Sequence, residues 1–161
     1  MWSDRRSLLL ALPVLLAGCG FEPVYGPGGT GTALYDSVEF ATPGSREDFL
    51  YVQQLGVSLG RSQAPEYRLA YAIGTLDTGQ AVTSTGDITR YNLIGEVDYV
   101  LTRIADETVV AEGRVDNFAG YSATGSTVDT LAAERDAVRR LMIILADQTA
   151  QRLFLTVDTG P

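Results

Sequence analysis

Apolar positions recur at different periods along the chain, and each change of period marks an element. Over residues 66–76, Tyr67, Leu69, Tyr71 and Ile73 alternate with Arg68, Ala70 and Ala72. Over residues 88–104, Leu93, Val97, Tyr99 and Leu101 share one parity, while Arg90, Asn92, Glu96, Asp98 and Thr102 share the other. Over residues 108–121, Val109, Ala111 and Val115 oppose Glu112, Arg114 and Asp116. A period of two places successive side chains on opposite faces, so these runs predict strands of an antiparallel sheet with one covered and one wet face. Ala105-Asp106-Glu107 is short enough to close the last two strands into a hairpin. Residues 77–87, rich in Thr, Gly and Ser, predict a longer exposed loop. Residues 33–40, with Leu34, Val38 and Phe40 among polar neighbours, predict a first strand.

Two stretches have a helical period instead. From Arg46 to Leu59, the residues Phe49, Val52, Leu55 and Leu59 fall on one face. Ser45 supplies an N-cap, with Asp48 at the third helical position, and Gly60 suits the end. Residues 128–154 predict a long helix capped by Ser126 or Thr127. Its buried stripe is Leu131, Val138, Leu141, Met142, Leu145 and Leu153, and Asp136 and Arg140 form an i,i+4 pair on another face. The order is β-α-β-β-β-α. Two amphipathic helices on one face of a four-stranded, mainly antiparallel sheet satisfy every apolar face, so the predicted class is α+β, a two-layer sandwich.

The start of the chain obeys neither period. Arg5-Arg6 precedes an apolar run over residues 8–17, interrupted by Pro13. A spanning helix needs roughly 20 apolar residues. This run is about half that length and is followed by Gly18, Gly20, Pro23 and Gly26, so it predicts a cleaved secretory signal over residues 1–18. The general secretory route is favoured over the twin-arginine route, since only the arginine pair of that consensus is present. Residues 19–33, with Pro23, Pro27 and several glycines, predict a flexible tether, and residues 34–161 one folded domain.

Composition removes whole classes of chemistry. The formal net charge is −8. Loss of Asp4, Arg5 and Arg6 with the signal would make it −9, on a chain of 143 residues. An acidic domain lacks the basic footprint of sequence-independent nucleic-acid binding. The chain has no histidine and no lysine, which excludes imidazole bases, histidine metal sites and lysine nucleophiles. Asp106-Glu107 is an adjacent acidic pair, but it falls at the predicted hairpin tip and is expected to be solvated. No phosphate-binding glycine motif is present. An enzyme, a cofactor and a bound metal are therefore not expected. Arg139-Arg140 is an adjacent basic pair, expected to serve helix-surface ion pairing.

The single cysteine, Cys19, ends the string Leu16-Ala17-Gly18-Cys19, which resembles the lipobox of bacterial lipoproteins. The resemblance implies acylation of Cys19 by a diacylglyceryl group and fatty acid such as palmitate. Several acyl chains anchor stably where one anchors marginally. Gly20 stands where an aspartate would resemble an inner-membrane retention signal, which favours the outer membrane.

The longer string Cys19-Gly20-Phe21-Glu22-Pro23-Val24-Tyr25-Gly26 resembles the Cys-Gly-Phe-x-Pro-Leu-Tyr-Gly opening of alphaproteobacterial lipopolysaccharide-assembly lipoproteins of the LptE family, with Val24 in place of leucine. The element order and the segments Ala132-Ala133-Glu134-Arg135-Asp136-Ala137 and Leu145-Ala146-Asp147-Gln148 are similar to that family as well. The resemblance implies a one-to-one partner, the outer-membrane barrel LptD, which the lipoprotein plugs and helps assemble. The pair then passes lipopolysaccharide to the cell surface. On this reading the loop over residues 78–87 and the wet-face residues Arg90, Asn92, Glu96 and Asp98 are the candidate partner contacts. Enteric members are described as binding lipopolysaccharide through basic residues. The acidic, lysine-free composition here departs from that pattern and speaks against direct capture of lipid A phosphates. The alternative reading of the same features is an auxiliary lipoprotein subunit of an ABC-type envelope lipid transporter.

Overall fold

The computed structural model describes residues 30–82 and 88–157. Cys19, the signal and most of the tether lie outside the described residues. The elements are α1 (Thr30–Leu34), β1 (Val38–Phe40), α2 (Arg46–Leu59), β2 (Tyr67–Val82), β3 (Ile88–Arg103), β4 (Val109–Ser122) and α3 (Thr127–Thr156). The sheet has the spatial order β1-β2-β3-β4. β1 runs parallel to β2, and the two following pairs are antiparallel. The α+β architecture and the β-α-β-β-β-α order are those the periodicities predict, with one short helix added in front.

Both longer helices start on reciprocal caps. The Ser45 hydroxyl accepts from the Asp48 N–H at 3.0 Å, and the Asp48 carboxylate accepts from the Ser45 N–H. Ser126 and Asp129 repeat the arrangement at α3. Each box satisfies two of the orphan N–H groups of a first helical turn. α2 ends at Gly60, whose φ of 77° lies in the region where a Cβ is costly. A side chain there would also collide with Asp36. Asp36 is held at that spot twice: its N–H donates to the Leu59 carbonyl at 2.8 Å, and its carboxylate accepts from the Arg61 N–H at 3.0 Å.

The core lies between the helices and the inner face of the sheet. Leu69, Leu93, Val97, Tyr99, Leu101, Ala111, Val115 and Ala119 point inward, against Tyr51, Leu55 and Leu59 of α2 and Leu141, Met142, Leu145 and Leu153 of α3. Gly95 lets α3 come close: a Cβ there would stand 2.9 Å from a Leu141 methyl and 3.0 Å from one of Leu145. Within this apolar layer the Tyr51 hydroxyl donates to Thr149 Oγ1 at 2.8 Å, and Thr149 donates on to the Leu145 carbonyl at 2.9 Å. Burial pushes the Tyr51 phenol far above its ordinary range. The same cause, helped by Asp48, takes neighbouring Tyr71 up to about 12.

Several expectations change in detail. Residues 33–40 do not form one strand: Thr30–Leu34 is helical and β1 spans only Val38–Phe40. Leu34 and Val38 are both buried but belong to different elements, so two core contacts at a spacing of four had read as strand. In α2 the buried face is Tyr51, Leu55 and Leu59, while Phe49 is exposed; a four-residue step selects Tyr51 and rotates Phe49 outward. Leu131 is exposed in α3, whose fully buried residues begin only at Ala137. Val109 is exposed as well. A register shift between Leu101 and Thr102 puts an extra residue into β4, which turns Val109 out and lets Val110 pack against the core.

The largest change concerns residues 77–87. Instead of a loop over that whole stretch, β2 continues to Val82 and pairs with β3 down to Ile88. The Thr and Gly composition that reads as loop is here an exposed ribbon, whose backbone groups on one side are satisfied by β3. Half of the candidate contact loop, residues 78–82, is therefore strand, and residues 83–87 lie outside the described residues.

Candidate partner-docking face

The helices cover one face of the sheet and leave the other open. Registers of β2, β3 and β4 place the outward side chains in rows across the strands. From the β1 end these are Ala70-Val100-Glu112, Ala72-Asp98-Arg114, Gly74-Glu96-Asp116, Leu76-Ile94-Phe118 and Thr78-Asn92-Gly120. Period-two geometry carries each outward residue to this face, and antiparallel pairing aligns them.

Two chemically different zones result. In the first, Arg114 grips Asp98 with both ends of its guanidinium, Nε to Oδ1 at 2.6 Å and Nη2 to Oδ2 at 2.7 Å. Its Nη1 also reaches Glu96 at 3.4 Å. The hydrogen bonds from Arg114 hold the Asp98 carboxyl below its ordinary range. A separate pair, Arg68 with Glu39 at 3.2 Å, ties β2 to β1 on the same face. These pairs are exposed, and exposed pairs add little to stability.

The second zone is the row Leu76-Ile94-Phe118. The three side chains are 65 %, 42 % and 59 % exposed, yet they sit side by side in one register. Single exposed apolar residues are ordinary on a protein surface; a contiguous group with a polar border is the signature of a contact surface. Beyond the row, Arg90, Asn92, Gly120, Tyr121 and Ser122 line a shallow depression of about 300 Å³. Arg90 makes no ion pair among the described residues. On the inner side of this end, Tyr121 stacks on Tyr91 with centroids 5.3 Å apart and donates to Asp77 at 3.3 Å. Burial and the Asp77 charge raise the Tyr121 phenol to about 12.

All four predicted contact residues lie on the outer face. The structure gathers Glu96 and Asp98 around Arg114, and sets Asn92 and Arg90 on the other side of the apolar row. Sequence reasoning missed the row itself. The signal was present: Leu76, Ile94 and Phe118 are apolar residues on the polar parity of their strands. Arg139 and Arg140 both pair with Asp136, as expected of a helix surface, and Arg140 also donates to the Gly120 carbonyl at 3.1 Å. Among the described residues no group of three or more Cys, Asp or Glu is placed to hold a metal ion, and no helix is long and apolar enough to cross a membrane.

Solved structures share this fold. A candidate lipoprotein from Caulobacter crescentus CB15 matches with a TM-score of 0.66 at 21 % identity, covering 81 % of this chain and 96 % of its own. A minor lipoprotein from Acinetobacter baumannii matches with a TM-score of 0.57 at 16 % identity, covering 79 % of this chain and 98 % of its own. The rare lipoprotein B from Shewanella oneidensis gives 0.55 at 14 % identity, over 71 % and 89 % of the two chains. No curated protein matches by sequence. The model of the family described as "LptE: Lipopolysaccharide-assembly" matches residues 48–153, from the first turn of α2 to the last turn of α3. The match takes in most of both longer helices and the three strands β2–β4 with their open face, and the chain belongs to the LptE lipopolysaccharide-assembly family.

Proposed function

We propose that the protein is an outer-membrane lipoprotein, acylated at Cys19 after removal of residues 1–18 and tethered through residues 19–33. It pairs one-to-one with the LptD barrel, which it plugs and helps assemble for delivery of lipopolysaccharide to the cell surface. The observation that carries this reading is the uncovered outer face, where an apolar row of Leu76, Ile94 and Phe118 lies between the Arg114 charge cluster and the polar Asn92 and Arg90. A polar lumen wall with scattered apolar side chains is a suitable counterpart: the row supplies buried apolar area, and Arg90, Asn92, Glu96 and Asp98 supply register. The family's role in lipopolysaccharide assembly and the lipoprotein relatives of like fold support the same reading. The role needs no catalytic group.

Capture of the tagged full chain from detergent-solubilised outer membranes tests it. A large barrel protein is expected to co-purify, and the pair Ile94→Asp with Phe118→Asp should lower its recovery by about tenfold or more, a loss of roughly 1.4 kcal/mol. Recovery of inner-membrane transporter subunits with no barrel would overturn the reading. Depletion should reduce both mature barrel and surface lipopolysaccharide. A Cys19→Ala variant should remain unprocessed by the lipoprotein signal peptidase, and normal maturation of that variant would refute the lipobox.

A further inference from the structure

β4 is a 14-residue strand at the edge of the sheet, and its two halves are finished differently. The Ala123 N–H donates to the Thr89 carbonyl at 3.0 Å, just beyond the Arg90–Ser122 pair. Bonded and non-bonded pairs alternate in an antiparallel ladder. The odd-numbered residues from Tyr121 back to Ala111 therefore turn their backbone groups toward β3, and the even-numbered ones turn theirs away from the sheet. At the α3 end of the strand this edge is closed from within the chain: the Phe118 N–H donates to the Asn117 side chain at 2.8 Å, and the Gly120 carbonyl accepts from Arg140. At Glu112, Arg114 and Asp116 the outward N–H and C=O groups have no partner among the described residues. An open row of this kind is a template for another strand.

The open half borders a cavity of about 280 Å³ between β4 and the last turns of α3, lined by Asp116, Gln148, Gln151, Arg152 and Leu155 among others. Two features there lack a counterpart. Gln148 Oε1 is buried without a hydrogen-bond partner among the described residues, a state that an incoming donor relieves. Leu155 is 80 % exposed. On the outer side, the carboxylates of Glu96, Asp98 and Asp116 act on one guanidinium, that of Arg114, already engaged by the first two, and Glu112 adds a fourth carboxylate on the same face of the strand. The field along the open edge is therefore negative.

We propose that the Glu112–Asp116 edge accepts an extended segment of a partner polypeptide as a fifth strand, with basic residues on the outward side beside Glu112 and Asp116. Main-chain bonds to residues 112, 114 and 116 supply affinity. The inward side chains of the segment enter the α3 cavity, where Gln148 offers an acceptor and Leu155 an apolar contact. A second copy of this chain is a poor occupant: each copy carries −8, and β4 set against β4 about Arg114 opposes Glu112 to Asp116. The proposal concerns the edge of the strand and stands apart from the role assigned to the outer face.

A capped peptide of alternating arginine and valine, and the same peptide with glutamate for arginine, test it against the full chain in detergent. The arginine peptide is expected to slow amide hydrogen exchange at Glu112, Arg114 and Asp116 by about tenfold or more at saturation, leaving Phe118 unchanged. Asp116→Pro removes an outward donor without taking a bond from the β3 ladder, and should weaken binding by about tenfold. The double variant Glu112→Arg with Asp116→Arg keeps the backbone intact and should weaken it comparably; both variants are checked by thermal melting. Equal binding of the glutamate peptide, unchanged binding by the charge-reversed chain, or protection elsewhere would overturn the proposal. So would protection of the same amides in the chain alone through dimerisation, since the occupant would then be a second copy.

Discussion

The inner and outer faces of the β2–β3–β4 sheet are drawn from the same three strands, often from adjacent residues, and they do opposite work. Leu93 is buried under α3 while Ile94 stands in the open; Val97 is fully buried while its neighbours Glu96 and Asp98 hold Arg114. Inside, each apolar residue has a complementary neighbour, down to a glycine that admits two leucine methyls. Outside, three large apolar side chains stand exposed in one register row across the strands. Packing density explains the first arrangement. It gives no reason for the second, and an apolar row that is not needed for the fold is best understood as prepared for contact.

The sharpest way to break this contrast is to truncate one leucine and one phenylalanine of similar apolar content. Leu145→Ala on the inner side should cost about 3 kcal/mol in urea unfolding, whereas Phe118→Ala on the outer side should change stability by less than about 0.5 kcal/mol. Equal losses would mean that the outer row belongs to the structural core after all. Next in size is Tyr51→Phe, which removes the single hydroxyl bond linking α2 to Thr149 inside the apolar layer. It should cost about 1.5 kcal/mol, read in the same titration. Ser126→Ala opens the capping box of α3 and should cost about 1 kcal/mol, with the loss showing first as fraying of residues 127–130 in amide exchange.

The smallest effect concerns acid. Arg114 holds Asp98 below its ordinary 3.8, and the Thr108 N–H and the Ser126 hydroxyl do the same for Asp106 and Asp129. A carboxyl with a depressed folded pKa stabilises fully above its unfolded value and loses that contribution as pH falls through the folded one. The melting temperature should accordingly be flat from neutral pH down to about pH 5 and decline below the ordinary aspartate value. Asp98→Asn should remove part of that decline by slightly lowering the neutral plateau, leaving stability on the acid side unchanged. An unchanged acid limb would show that the Arg114 cluster contributes nothing to the fold and leave it free for recognition.

Period and capping make most of the body legible in the sequence. Strict alternation in β3, and the Ser45-Asp48 and Ser126-Asp129 pairs, specify local geometry through contacts a few residues apart. What failed depended on partners distant in sequence. Nothing near residue 80 says that Gly79 will pair with Tyr91, so an exposed ribbon read as loop. The extra residue opposite Leu101 turned Val109 out because register, not parity, decides the face after a bulge. The candidate face was half visible for the same reason. Arg90, Asn92, Glu96 and Asp98 share one strand and one parity, and so were found together. Leu76, Ile94 and Phe118 become neighbours only when three strands are aligned, and each alone looks like an irregularity in an otherwise clean pattern.

The Asp36–Gly60 contact bears on how the domain carries load. Tension along the chain from the N-terminal side of Thr30 enters through α1 and reaches Asp36 before β1. There it is passed to the end of α2 through the Leu59 carbonyl and the Arg61 amide. The three-residue ladder of β1 follows, and the long hairpins come last. Under a steady pull the two bonds of Asp36 are loaded after α1 and before β1, and replacing Asp36 with alanine removes one of them. Force applied at the N-terminal end therefore meets the bonds from Asp36 to the end of α2 before it meets the sheet.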